Sequence, residues 1–297
     1  MKRQFEVPYN FSKQLIAFYA KHTADISYVF VPPYREDSLN TRSSIETHRR
    51  GTCYMPKSRS EYESHLVCLT QAGLRFVVLW QLPQAVITER VIAYYMGLGA
   101  SGFIVGNHES ASVIKRVNPE LIVVCSLVQR VCYDVLVRDF SLYDFVLLYY
   151  PFNRGLDALK TLAPLKEKLI LMPNTLCHVD CPSMHHWFPD PKRPFVQNRD
   201  CPGLNGAVWS GFIAPEHLTL FDDWVGGYKL QGREYTTDLI MYICSIYFDR
   251  EPADELLNAL LGEEQAKEMV AAREALTLEG YYNVKSQAIL SKLRVLK

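Results

Sequence analysis

Eight short apolar runs, spaced along the chain with helical patterning between most of them, limit the folds open to this sequence more than any other feature. They lie at 5–8, 26–31, 76–81, 102–106, 121–126, 145–150, 169–172 and 228–230. Runs such as FVVLW, LIVVC and FVLLY are almost continuously apolar, as expected of parallel strands covered on both faces. Between them, Ser12 is placed to cap a helix with Leu15, Ile16 and Tyr19 on one face, and Ile87, Val91 and Tyr95 recur at four-residue steps. Eight strands separated by helices favour a closed (β/α)8 TIM-like barrel over an open doubly wound sheet. No glycine-rich phosphate fingerprint follows the first run, which weighs against dinucleotide binding.

The length of 297 residues suits one such barrel with an extension, and 48% hydrophobic residues are enough for its core. The barrel is assigned to 1–249. At 250–297 the composition shifts to charged, amphipathic helical patterning, read as a C-terminal extension packed on the barrel. A formal net charge of +0 gives no overall pull toward nucleic acid or an anionic membrane. The first residues, MKRQFEVPYNFSK, lack the apolar core of a secretory signal, and the longest uncharged run, 91–107, is broken by Gly97, Gly99 and Gly102. A cytoplasmic protein without a membrane span is the expectation.

Two long polar segments interrupt the pattern, at 32–60 and 173–215. Each follows a strand and so belongs on the face where barrels place their active sites. The second carries Asn174-Thr-Leu-Cys177-His-Val-Asp-Cys181-Pro, then His185, His186 and Cys201. Two cysteines four residues apart can present both sulfurs to one soft metal, and Cys201 can supply a third. His178, His185, His186 and Asp200 are available as a fourth ligand. Zinc, an iron–sulfur cluster and unliganded cysteines all remain open on spacing alone, as does a nucleophilic cysteine beside His178. Of the other five of the eight cysteines, Cys68, Cys125, Cys132 and Cys244 sit in apolar periodic segments and read as core, and Cys53 sits in a polar loop.

Polar residues at strand ends form a second set: Asn10, Gln81, Asn107, Ser126, Arg154 and Asn174. Arg154 and Arg233 can fork onto a carboxylate or phosphate, and Lys229 can point inward from the last strand. Asn107, Arg154, Asn174, Lys229 and Arg233 are the candidate substrate contacts. Tyr149, Tyr150, Trp187 and Trp209 are candidate aromatic walls.

Several segments resemble peptidase family U32, the collagenase-like family, and its iron–sulfur relatives. Tyr228-Lys-Leu-Gln-Gly-Arg233 is similar to the family's K-I-E-G-R motif, and Trp209-Ser-Gly-Phe-Ile-Ala-Pro-Glu216 to the segment preceding it. The run 144–154, ending in Asn153-Arg154, the opening Val7-Pro-Tyr-Asn-Phe11 and the N-x-x-C-x-x-x-C-P pattern at 174–182 fit the same relatives. The resemblance implies a barrel carrying a [4Fe–4S] cluster, with Cys177, Cys181 and Cys201 as ligands. It also implies oxygen-independent hydroxylation or related redox chemistry on a small organic or RNA substrate, in some relatives as a heterodimer of related barrels. A peptidase or metal-dependent hydrolase, and a non-catalytic partner subunit, are the alternatives. Two positions depart from the family: Thr219 stands where a fourth cysteine is found, which leaves His185, His186, Asp200 or an open iron, and Gln231 replaces the motif's glutamate.

Overall fold

A computed structural model of the chain describes residues 3–34, 56–81, 85–127, 140–177, 179, 210–233 and 235–295. Within it the eight apolar runs are eight parallel strands closed into a barrel in the order β1 to β8. The strands are β1 (Gln4–Pro8), β2 (Ile26–Val31), β3 (Phe76–Trp80), β4 (Gly102–Val105), β5 (Ile122–Cys125), β6 (Phe145–Leu147), β7 (Leu169–Leu171) and β8 (Gly227–Lys229). Closure comes from β1 against β8, in the register Gln4↔Gly227, Phe5↔Tyr228 and Glu6↔Lys229. This is the TIM-barrel architecture. One predicted end moves by three residues: β6 stops at Leu147, so Tyr150 opens a 3-10 helix (Tyr150–Arg154) instead of ending the strand.

Strand alternation sorts side chains into two apolar layers. Tyr28 and Phe30 of β2, Val77 and Leu79 of β3, Ile104, Val124, Leu147 and Ile170 form one cluster inside the barrel. The opposite parity, including Phe5, Val7, Val29, Val31, Phe76, Val78, Phe103 and Val123, packs outward against the helices. Among these are α1 (Lys13–Lys21), α2 (Arg59–Gln71), α3 (Glu89–Gly97), α4 (His108–Val117) and α5 (Leu156–Thr161). The helix after β8, α6 (Thr237–Asp249), sets Tyr247 and Phe248 against Phe5 of β1, so the seam is covered from outside.

Local capping explains several helix starts. The side chains of Ser58, Thr88, Asn107 and Thr236 accept from backbone N–H groups three residues on, each satisfying one orphan donor of a first turn. Ser12 occupies the predicted N-cap position of α1 without making that bond, and Leu15, Ile16 and Tyr19 are the buried face. In α3 the buried residues are Ile92 and Tyr95, with Val91 half-buried; Ile87 packs from the segment before the helix.

The C-terminal segment forms α7 (Asp254–Leu261), α8 (Glu263–Glu274), α9 (Leu278–Asn283) and α10 (Ser286–Val295). It seats on the barrel where the chain leaves β6 and where it returns toward β8. Asn283 caps the first turn of α5 through Asp157 N–H, Lys285 N–H donates to Arg154 O, and Tyr282 Oη lies 2.9 Å from His217 Nδ1. Among the described residues no helix is long and apolar enough to cross a membrane.

Close backbone approach makes Gly102 obligatory. A Cβ on Gly102, at the start of β4, would sit 2.1 Å from the backbone oxygen of Ile122 in β5. Gly102→Ala is expected to cost about 1–3 kcal/mol, because backbone rather than a flexible side chain has to yield. A lowered denaturant midpoint at unchanged slope checks this, and an unchanged midpoint would reject the close β4–β5 approach.

Candidate active site

At the seam of β1 and β8 the barrel interior carries charge, Glu6 and Lys229, where β2 to β7 fill it with an apolar cluster. Glu6 is 1% exposed and Lys229 4% exposed, and they form an ion pair at 2.9 Å between Lys229 Nζ and Glu6 Oε2. Tyr28, beside them on β2, donates to Glu6 Oε1 at 2.5 Å. The Lys229 ammonium stands 3.3 Å from the centroid of the Phe30 ring, an attractive contact for a cation over an aromatic face. Burial pulls the Lys229 amine down to about 8; Glu6 opposes that shift and nearby Arg233 adds to it. A lysine in this state can give up or take back a proton near neutral pH, which an exposed lysine does poorly.

Lys229 ends β8 and therefore stands beneath the carboxy-terminal mouth. The rim above it is locked by side-chain bonds to backbone. Asn174, just past β7, donates to Gln231 O at 2.8 Å and accepts from Gln231 N–H at 2.9 Å, while Gln231 Nε2 donates to Asn174 O at 3.0 Å. Asn174 thus splices the exits of β7 and β8. Arg233 is half-buried two residues beyond Gln231, and Gln81 Nε2 donates to Ser126 Oγ at 3.0 Å across the exits of β3 and β5.

Cys177 lies half-buried on the segment that leaves β7. That segment runs beside the stretch at 210–213: Gly211 N–H donates to Cys177 O and Ile213 N–H to Pro173 O, each at 2.8 Å. Buried Asn153 ties both together by donating to Met172 O at 2.8 Å and Gly211 O at 2.5 Å. The two ends of the long 173–215 loop are therefore pinned side by side at the mouth. Cys181, Cys201 and His185, with His178, His186, Asp200, Trp187 and Trp209, lie outside the described residues. Among the described residues no three His, Cys, Asp or Glu side chains gather to hold a metal. Cys125 and Cys244 are buried, the latter in α6 with its thiol pushed up to about 12 by burial.

Asn107 and Arg154, like Asn174, are engaged by the framework. Asn107 caps α4, accepting from Ser110 N–H at 2.7 Å, and donates to Ala85 O at 3.1 Å. Arg154 was expected to fork with Arg233 at the mouth, but it is 0% exposed and enclosed beneath α9. Its guanidinium stacks 3.5 Å from the centroid of Tyr281, donates to the Tyr281 hydroxyl and gives Nε–H to Ser210 O at 2.9 Å. No carboxylate is its hydrogen-bond partner among the described residues, and burial pulls its pKa below the usual arginine range. Tyr149 and Tyr150 hydrogen-bond to each other at 2.7 Å, with Tyr150 buried. Glu6 and Tyr28 had no place among the sequence candidates; the signal available was a glutamate at an inward-parity position between Phe5 and Val7.

No family model matches the chain, and no curated protein matches it. Among solved structures it is similar to a chain in the crystal structure of tryptophan synthase from M. tuberculosis in the aminoacrylate- and BRD0059-bound form. The identity is 11% and the TM-score 0.40, over 90% of this chain and 93% of that one, a likeness too slight to bear on function.

The Glu6–Lys229 pair predicts a specific pattern of stability. Lys229→Met leaves a carboxylate buried without its cation and is expected to cost about 3–5 kcal/mol, most of it recovered in Glu6→Leu/Lys229→Met. Because folding depresses the Lys229 pKa, the unfolded chain binds more protons between about pH 8 and the ordinary lysine value. The wild type should therefore gain stability relative to the double variant as pH rises through that window, by at most about 1.4 kcal/mol per pH unit. Denaturation of both proteins across the window tests the sign, and a flat difference would reject it.

Arg154→Met keeps bulk but removes the donors to Ser210 and Tyr281. Amide exchange in α9 and α10 should quicken by about tenfold or more, while that of β2 to β5 is unchanged. Equal protection in wild type and variant would show that Arg154 does not hold these helices.

Proposed function

We propose that this chain is an iron–sulfur oxidoreductase of the U32 type, performing oxygen-independent hydroxylation or related redox chemistry on an organic or RNA substrate at its carboxy-terminal mouth. The observation that supports this most is the place of Cys177. The residue is half-buried on the exit of β7, its backbone is pinned by Gly211, and it stands at the root of the loop that carries Cys181, His185 and Cys201. A soft, partly desolvated donor on a fixed backbone fits a cluster ligand. A [4Fe–4S] cluster held there by Cys177, Cys181, Cys201 and His185 would supply one-electron chemistry.

The chain's own residues suit such a mouth. Asn174 and Gln231 hold the exits of β7 and β8 together, so a group bound on one is fixed relative to Lys229 on the other. Arg233, half-buried on the same rim, carries the planar fork that recognises carboxylate or phosphate. Lys229 beneath it adds a second positive charge that burial makes easy to discharge.

Iron and acid-labile sulfide, measured on protein purified without oxygen, test the reading. Near-stoichiometric iron and sulfide are expected in the wild type, with loss of both in Cys177→Ser and in Cys181→Ser. Iron retained in full by either variant would remove the assignment. Zinc in place of iron would turn the site toward a metal-dependent hydrolase or peptidase, and a metal-free chain toward the partner subunit of a heterodimer with a related barrel.

A further inference from the structure

A barrel interior is most stably filled with apolar side chains, and a buried ion pair adds little stability over apolar residues of similar volume. The group Glu6, Tyr28 and Lys229 breaks that filling at one place, where β2, β1 and β8 run side by side. Directly below it, at the amino-terminal end of the barrel, is a cavity of about 240 Å³. The starts of β1, β2, β6, β7 and β8 surround it, with Arg3, Gln4 and Ser27 near its outer end and Glu6 and Tyr28 deeper along their strands. Gly227 supplies no side chain at its inward position on β8, which leaves the space open below Lys229. A cavity of this size has room for several waters; most of its wall is apolar, and Arg3, Gln4, Ser27, Tyr28 and Glu6 supply the polar partners they would need.

The contacts then run in one line along the barrel. Glu6 lines the cavity, its carboxylate is oriented by Tyr28 at 2.5 Å, and its other oxygen meets Lys229 Nζ at 2.9 Å. Lys229 ends β8 under the opposite mouth.

We propose that the barrel interior is a proton conduit: Glu6 takes a proton from water in the amino-terminal cavity and passes it to Lys229, which delivers it to a substrate held at the carboxy-terminal mouth. The substrate is an anionic organic molecule that gains a proton in the reaction. The Lys229 ammonium loses one proton to the substrate and becomes a neutral amine. Glu6, protonated by a proton relayed from bulk solvent through the cavity water, returns a proton to that amine and is again a carboxylate, so no hydroxide is left behind. No electrons move. The charged and titratable groups acting on Lys229 among the described residues are Glu6 from β1 and Arg233 beyond β8; Tyr28 of β2 acts through Glu6. The lowered amine pKa fits a group that cycles between both forms. The delivery step rests on the reading of the mouth as the reaction site, whereas the passage from cavity to Lys229 does not.

Nitrogen-15 NMR of the full chain labelled at lysine tests the conduit without substrate or cluster, the Lys229 signal being identified by its loss in Lys229→Met. Lys229 Nζ should titrate near the expected value of about 8, and lower by about one unit or more in Glu6→Gln, where the carboxylate favouring the charged form is gone. Ile170→Phe and Phe145→Trp place bulk into the cavity; each should slow exchange of the Lys229 protons with water by about tenfold or more and leave the titration in place. Should both unfold the barrel, Gly227→Ala narrows the same space, its Cβ meeting Gln4 O at 3.1 Å. Titration of Lys229 together with the surface lysines, or exchange indifferent to a folded cavity-filling variant, overturns the conduit. Iron content is read separately. A metal-free protein that passes these tests leaves the conduit standing, and an iron-loaded protein that fails them leaves the cluster reading standing.

Discussion

The pairing of β1 with β8 is the constraint on which everything else depends. Eight short parallel strands leave two unpaired edges unless the first meets the last, and here they meet through the pairing of Gln4 with Gly227, Phe5 with Tyr228 and Glu6 with Lys229. The same contact puts Phe5 and Tyr228 side by side outside, under Tyr247 and Phe248 of α6, and Glu6 and Lys229 side by side inside. Closure and the buried charge pair are thus consequences of one register. A shift of one residue would turn Lys229 out into the helical layer and Tyr228 into the interior.

The two ends of the barrel differ in kind. At the carboxy-terminal end side-chain amides bond to backbone from one strand exit to the next, as Asn174 does to Gln231 and Asn153 to Met172 and Gly211, and the rim is stiff where Cys177 and Arg233 project from it. At the amino-terminal end Gly227 and the residues around it leave a cavity that reaches Glu6. Charge buried between a bonded rim and an open base is costly to stability but suited to moving protons, which is the physical link between the fold and the chemistry proposed for it.

Residues of one chemical type were put to different uses by their surroundings. Arg154 and Arg233 both follow the ends of strands and read alike in the sequence. Arg233 stays on the rim, while Arg154 is covered by Tyr281 and Tyr282, which arrive from more than a hundred residues further on. Asn107 and Asn174 likewise read as ligand contacts, yet backbone groups beside them take up their amides. An amide or guanidinium reaching an orphan backbone group satisfies it locally, and nothing in residue type distinguishes that use from substrate binding. Glu6 went unmarked for the opposite reason: one acidic residue in an apolar strand becomes informative only when a lysine is found facing it.

What the sequence by itself determined was the set of elements and their class. The near-continuous apolar runs marked all eight strands to within a residue or two at most ends, because parallel strands buried on both faces need such runs; β6 alone closed three residues early, where Pro151 follows Tyr150 into a 3-10 helix. The change to charged, amphipathic patterning after 249 marked the C-terminal helices, and their seat on the barrel was expected in outline. Only the tertiary structure decided which polar residues meet. The Glu6–Lys229 contact joins positions 223 residues apart and the Arg154–Tyr281 contact positions 127 apart. Strand periodicity tells which face a residue takes, but partners across a closed barrel are chosen by shear and closure, which no local pattern in the chain encodes.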